Sequence, residues 1–288
     1  MSHRRSIRTQ ILIFTLFGEY IVPRGGSAWT SGLLRLLGIL GVSERAARST
    51  LSRMSRNGWL RSTRSGRHSR YEITSRGLRV VRAGETRIFE PRRGAWDGQW
   101  HLVVYSVPEG KRRLRARLRA RLGWLGFGRL APGTWVSPTD RREEVETDLD
   151  DLGARPYAVY FAGSRLPSIR NGEIVARCWD LKSLNREYAQ FLKRYDPALA
   201  EARTAFHRGN GLSPAECFRR RFWLTLDYSQ FPRRDPNLPS PLLPPDWMGT
   251  RAAQVFGEYH DLLRDASEGF VTSALRLDPA DAVSSMAA

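Results

Sequence analysis

Arg45, Arg48, Ser49 and Ser52, with Arg56 a turn further on, fall on one side of a helical stretch between Ser43 and Asn57. Guanidinium groups bind guanine bidentately or pair with phosphate, and short hydroxyls let a helix come close to base edges. That is chemistry for reading the major groove of DNA. Arg53 lies beside this face. The other side carries Ala47, Thr50, Leu51 and Met54 at i, i+3, i+4 and i+7, an apolar stripe for a core. Downstream, Arg64, Arg67 and Arg70 flank a turn at Ser65-Gly66, and a basic hairpin can lie against phosphates or in the minor groove. The candidate DNA-binding residues are therefore Ser43, Arg45, Arg48, Ser49, Ser52, Arg53, Arg64, Arg67 and Arg70. An arginine-rich helix alone is a solvated face. Here a turn, a cap, a two-faced helix and a basic hairpin follow one another in the order of a winged helix-turn-helix, and agreement across levels carries the reading.

The elements that must position these residues follow from local signals. Leu33, Leu34, Leu36, Leu37 and Leu40 predict a short apolar helix, closed by Gly41 in the left-handed conformation. Ser43 is the N-cap of the next helix and Glu44 suits its first turn. Asn57-Gly58 ends that helix, and Trp59 and Leu60 turn back into the core. Ile7 to Tyr20 predicts a first helix, Pro23 to Ser27 a loop, and Thr74 caps a helix running to about Phe89. Pro91 to Gly94 reads as a linker.

Beyond it, His101 to Val107 predicts a strand and Lys111 to Trp124 a basic helix with a Leu114, Leu118, Leu122 seam. Short strands at 127–130 and 134–136, an acidic helix over Arg141 to Leu152 and a strand over Arg155 to Ala162 complete a β-α-β-β-α-β order, that of a ferredoxin-like unit. The rest is mainly helical: 181–195, 197–207, 214–228 and 250–268, interrupted by a proline-dense Phe231 to Gly249 segment that cannot be regular structure. The tail after Pro279 is small and polar and is expected to be disordered. The fold class is α+β, with domains at 1–91, 95–174 and 175–288.

Composition sets the partners. The chain has 288 residues, 41% hydrophobic, and a formal net charge of +18, which argues for polyanions and for nucleic acid first. Only Lys111, Lys182 and Lys193 are lysines; the arginine bias suits phosphate and also fits a GC-rich genome. Cys178 and Cys217 make no disulfide framework and no C-x-x-C metal spacing, so a reducing cytoplasm is the expected location. No run reaches the length of a membrane span. The stretch after Met-Ser-His-Arg-Arg carries Arg8, Gln10, Thr15 and Glu19 and lacks a small-residue cleavage site, so it reads as an amphipathic first helix better than as a signal peptide.

Catalytic readings find no support. His3, His68, His101, His207 and His260 are scattered, and His207 with Cys217 is too few ligands for a metal. Asp148, Asp150 and Asp151 sit in an acidic helix with Glu143, Glu144 and Glu146, a solvated face. No metal, cofactor or enzymatic activity is expected. A small-molecule site cannot be read off. Arg112, Arg113 and Arg219 to Arg221 are cationic candidates and Trp96, Trp100, Trp179 and Trp223 aromatic ones, each more simply explained as solvated or as core.

Four stretches together resemble the phenylacetic-acid-degradation repressor (PaaX) family: GVSERAARSTLSRMSRNGWL with GRHSRYEIT, WDGQWHLVVYSVPE, LGWLGFGRLAPGTWVSP and RDPNLPSPLLPPDWMG. The likeness reaches to about Leu263. It implies a homodimeric repressor with an N-terminal winged helix, a middle domain similar to the CRISPR-associated ferredoxin-like adaptation proteins, and a helical C-terminal domain. It also implies a double-stranded promoter DNA partner and release by phenylacetyl-CoA or a related aryl- or acyl-CoA thioester. One departure bears on activity. The nucleases among the adaptation proteins carry a metal-holding aspartate at the end of the first strand, where this chain has Val104-Tyr105-Ser106-Val107. The alternatives are a metal-dependent nuclease on that domain, against which Ser106 speaks, and an architectural DNA-binding protein without a ligand.

Overall fold

The computed structural model describes residues 9–66, 68–88, 96–166, 168–209, 211–232 and 234–276, the side chains of 83–88 excepted. The expected linker at 91–94, the tail beyond 279 and Arg67 lie outside the described residues. The fold is mixed α and β with two antiparallel sheets, and the chain forms two compact units. The first takes its residues from Met1–Phe89, Phe191–Ser229 and Arg251–Ala288, the second from Glu90–Gln190 and Gln230–Thr250.

In the first unit, α1 (Thr9–Leu16) is apolar and buries Leu12, Ile13 and Leu16. The expected continuation to Tyr20 is a wider π-helical turn, Phe17–Ile21, which keeps Phe17, Tyr20 and Ile21 all inside. β1 (Ser27–Trp29) follows and leads into α2 (Thr30–Ile39). Gly41 turns the chain at φ +86°, a conformation open to a residue without a Cβ. α3 (Glu44–Arg56) starts on Ser43, whose Oγ accepts the Ala46 N–H at 3.4 Å. β2 (Leu60–Ser65) and β3 (His68–Ile73) form a hairpin. Ser27, expected in a loop, instead pairs with Glu72, so β1 adds to the free edge of β3 in the order β1-β3-β2. Thr74 caps α4 (Ser75–Ile88) by accepting the Gly77 N–H at 3.1 Å.

The core under α3 is not made by the N-terminal segment alone. Leu33, Leu36, Leu37, Ala47, Leu51, Met54 and Leu60 share one buried cluster with Phe218, Phe222, Trp223 and Leu226 of α9 (Pro214–Tyr228) and with Val271 and Ala274 of α11 (Arg264–Leu275). Tyr20 meets Phe218 edge-on at 5.4 Å. A buried ionic cluster joins the same elements. Glu19 lies 3.4 Å from Arg221 Nε and 3.2 Å from His260 Nε2, and all three side chains are under one-tenth exposed. Burying charge is costly, but removing one partner costs more, so the contact ties the Phe17–Ile21 turn to the middle of α9.

Two helical expectations are corrected. A break was expected before Pro197, but α8 (Leu181–His207) is continuous. An interior proline costs roughly 3 kcal/mol; the buried Phe191, Tyr195, Leu199 and Ala202 around it offset that cost. Conversely, the single helix expected over 250–268 is two, α10 (Gly249–Leu262) and α11, divided at the fully buried Leu263.

In the second unit, β4 (Trp100–Tyr105), α5 (Arg112–Trp124), β5 (Gly128–Ala131), β6 (Thr134–Ser137), α6 (Arg142–Leu152) and β7 (Ala158–Ser164) follow in the expected order. The last strand begins three residues later than expected, after a 3-10 turn that holds Pro156. The sheet runs β5-β6-β4-β7, every pair antiparallel. One face packs Val103 and Trp135 against Leu118 and Leu122 of α5 and Val145 and Leu149 of α6. On the other, Trp100 and Val136 meet Ile174 and Val175 of α7 (Asn171–Cys178), together with Leu238 and Leu242. α7 had no sequence signal of its own. Leu238 and Leu242 belong to the proline-dense segment, which contains one 3-10 turn, Ser240–Leu242, among its described residues. Tyr188 Oη donates to Asp235 Oδ2 of that segment at 2.7 Å.

Candidate nucleic-acid interface

α3 separates as its sequence demands. Ala47, Thr50, Leu51 and Met54 are buried, while Ser43, Arg45, Arg48, Ser49, Ser52 and Arg53 are exposed. The arginines differ in what already holds them. Arg48 Nε donates to Glu44 Oε1 at 2.7 Å, one helical turn back. Arg53 Nη2 is 3.5 Å from Thr50 Oγ1. Among the described residues no acidic side chain pairs with Arg45, Arg53, Arg56 or Arg64. Their positive charge is uncompensated locally, which is what a polyanion requires.

Past the buried Leu60 the hairpin is exposed along β2, Arg64 included. Arg70, on β3, donates to Ser27 Oγ, and its guanidinium lies 5.9 Å over the Trp29 ring. Both partners come from β1, the strand that sequence reasoning did not see. Arg61 and Glu72 pair across the hairpin at 2.7 Å, and Arg61 holds the Glu72 carboxyl below its ordinary range. Thr30 Oγ1 donates to Ser69 O at 2.8 Å, tying the start of α2 to β3. The hairpin is thus fastened to β1 and to the start of α2.

The first unit also contains a cleft of about 240 Å³. Its floor is Tyr195 of α8, Trp223 of α9 and Tyr259 of α10, each 5% exposed or less. Arg194, Arg219 and Arg220 line it with Glu201 and Glu216. Of the residues weighed in the sequence as cationic or aromatic candidates, Arg219, Arg220 and Trp223 meet here. Arg221, expected to be solvated, points inward at 4% exposure. In the second unit Trp100 instead stacks on Trp179 and meets Trp96 edge-on, and Arg112 and Arg113 are exposed on α5. Arg194, Tyr195 and Tyr259 were missed, because helical spacing shows a face but not which helices converge.

Among the described residues no three His, Cys, Asp or Glu side chains are grouped to hold a metal. Burial pushes the Cys178 thiol up to about 12 and raises Cys217 as well, so neither is a ready thiolate. Asp150 is ion-paired to Arg155 and Asp148 lies 3.4 Å from Arg121. No helix among the described residues is long and apolar enough to cross a membrane.

Three family models match the chain in order: "PaaX-like protein" over residues 8–77, "PaaX protein central Cas2-like domain" over 93–175 and "PaaX-like protein C-terminal domain" over 179–273. The chain belongs to the PaaX family, one of non-enzymatic regulators. Among curated relatives, the transcriptional repressor PaaX of Escherichia coli (strain K12) is 33% identical over 264 residues, 91% of this chain and 82% of that protein. Among solved structures, the uncharacterized protein Rv0674 from Mycobacterium tuberculosis superposes with a TM-score of 0.58 at 23% identity, covering 94% of this chain and 99% of that one. That likeness speaks for the fold alone.

Proposed function

We propose that this protein is a homodimeric, cytoplasmic transcriptional repressor of a phenylacetate or related aromatic catabolic operon. It binds double-stranded promoter DNA through an N-terminal winged helix-turn-helix and is released by an aryl- or acyl-CoA thioester such as phenylacetyl-CoA. The observation that carries the reading is the two-faced α3, with a buried apolar stripe on one side and exposed arginines and hydroxyls on the other. Ser43, Arg45, Arg48, Ser49 and Ser52 enter the major groove; Arg53, Arg64, Arg67 and Arg70 hold phosphate or the adjacent groove. The repressor relative supports the regulatory role. The sheet order β5-β6-β4-β7 supports a ferredoxin-like middle domain, and Ser106, just past the end of its first strand, supports reading that domain as a scaffold and not a nuclease.

Arg48 reads a base only by exchanging its Glu44 partner, an exposed i, i+4 pair worth about 0.3–0.5 kcal/mol. Arg48→Ala therefore costs about 1–3 kcal/mol at the operator. Mobility shift of the upstream promoter DNA at fixed salt, with and without phenylacetyl-CoA, tests the whole reading. Equal loss on operator and random DNA would make Arg48 a phosphate contact only, and no preference over random DNA would remove the repressor.

A further inference from the structure

We propose that the cleft between α8, α9 and α10 is a ligand site for an acid that carries a flat apolar group. For its consequence, though not for binding itself, the inference rests on the repressor reading above.

The cleft already displays how it holds an acid. Glu216 accepts from Arg219 Nε at 2.7 Å and Arg219 Nη2 at 2.8 Å, and from Arg220 Nε at 2.7 Å. Burial alone would raise the Glu216 carboxyl; the bonds from Arg220 and Arg219 outweigh it and hold the group below its ordinary range. Two guanidinium forks converge on one carboxylate. Arg220 also reaches Glu201 at 3.0 Å, and Arg194 is anchored to Asp227 at 2.6 Å. Each guanidinium carries about five N–H donors. Arg219 spends two of them on Glu216, and its side chain is 44% exposed at the rim. An incoming carboxylate or phosphate at the rim meets the remaining N–H donors of Arg219 and must share that guanidinium with Glu216.

Below this rim the chemistry changes. Tyr195, Trp223 and Tyr259 form an aromatic floor, and Arg194 stacks 5.2 Å over the Tyr195 ring. A few convergent charged groups over an aromatic floor is the make-up of a small-molecule pocket. A simple ion leaves the floor unused, and a neutral hydrocarbon leaves the arginines unused. An acid with a flat apolar group uses both.

The position of the cleft supplies a route to the DNA-binding face. On α9, Glu216, Arg219, Arg220 and Trp223 recur at i, i+3, i+4 and i+7 toward the cleft. Phe218, Phe222 and Leu226 of the same helix sit in the core with Leu51 and Met54 of α3. Trp223 belongs to both. A ligand that shifts α9 changes the packing beneath α3, and it biases the DNA-binding equilibrium by its difference in affinity for the two arrangements.

The test is titration calorimetry of the full chain with phenylacetyl-CoA, CoA and phenylacetate, on the wild type, Arg219→Ala and Ala198→Trp. Ala198 lines the cleft, and tryptophan there fills it without removing a hydrogen bond. Phenylacetyl-CoA is expected to bind the wild type, to bind Arg219→Ala about tenfold to a hundredfold more weakly, and to show no binding to Ala198→Trp, with melting temperatures of both variants near wild type. Binding of phenylacetate alone assigns the rim to a carboxylate, and binding of CoA alone assigns it to phosphate. Variants that bind within twofold of wild type, or a wild type that binds none of the three, overturn the site. A mobility shift on the same proteins separates the two readings. Operator release by phenylacetyl-CoA that survives in Ala198→Trp sinks the cleft and leaves the repressor standing. Ligand binding lost in Ala198→Trp, with no operator preference in the wild type, sinks the repressor and leaves the cleft.

Discussion

Phe218→Ala probes the shared core of the first unit most directly. Phe218 is fully buried and its ring meets Tyr20 at 5.4 Å, Phe270 at 5.8 Å and Phe222 at 6.1 Å. Truncating a buried phenylalanine removes its transfer energy and leaves a cavity, a loss of about 3–5 kcal/mol. For a body of this size each kcal/mol lowers the melting temperature by about 2–4 °C, so the expected drop is roughly 6–20 °C. The substitution lies far from α3 in sequence, yet α3 must feel it, because Leu51 and Met54 belong to the same cluster. Amide hydrogen exchange distinguishes the cases. In Phe218→Ala the amides of 33–54 and those of 214–228 should lose protection together, as one cooperative unit. If 214–228 opens early while 33–54 keeps wild-type protection, the two segments do not share a core and the reasoning fails.

Further expectations follow from local geometry. Ser43→Ala removes the Ala46 N–H acceptor and should cost about 0.5–2 kcal/mol by thermal melting; Ser43→Asp should restore it. Gly128→Ala would place a Cβ 2.4 Å from Cys178 Cβ and 2.6 Å from the Trp179 ring, so the second unit should melt earlier by overpacking, about 1–3 kcal/mol; an unchanged melt would show that α7 can move away. Tyr160 Oη donates to Asp140 at 2.7 Å and is the main reason this carboxyl sits below its ordinary range. A carboxyl lowered by folding contributes stability above its unfolded pKa and loses it as pH falls through the folded value. Tyr160→Phe should therefore raise the Asp140 pKa in an NMR titration and shift the acid loss to higher pH, and an unmoved titration counts against that hydrogen bond.

What the sequence disclosed was whatever is written locally. Ser43, the Ala47 to Met54 stripe and Asn57-Gly58 bracket α3 within a residue, because cap, period and stop are all short-range. The β-α-β-β-α-β order was legible for the same reason. β1 was not: three residues carry no period, and its pairing with β3 crosses more than forty positions. Pro197 reads as a breaker until the burial on both sides of it is known. Arg219, Arg220 and Arg221 look alike in sequence, but one helical position turns Arg221 into the core beside Glu19 while its neighbours line the cleft. The candidate interface was legible as residue types. The cleft was not, since three separate helices supply it.

The cluster that joins Leu12 to Leu60 with Phe218 to Ala274 has a consequence for synthesis. At about 5–20 residues per second, the roughly 160 residues between Leu60 and Phe218 take on the order of 8–30 s to emerge from the ribosome. Throughout that interval the α3 segment exists without α9 and α11, its apolar stripe short of partners and its arginines already displayed. A nascent chain in that state is a ready client for chaperones. On the proposed reading, competence to bind DNA is expected only once the last helices have been made, so a truncated product lacking them should remain inactive even with its N-terminal segment intact.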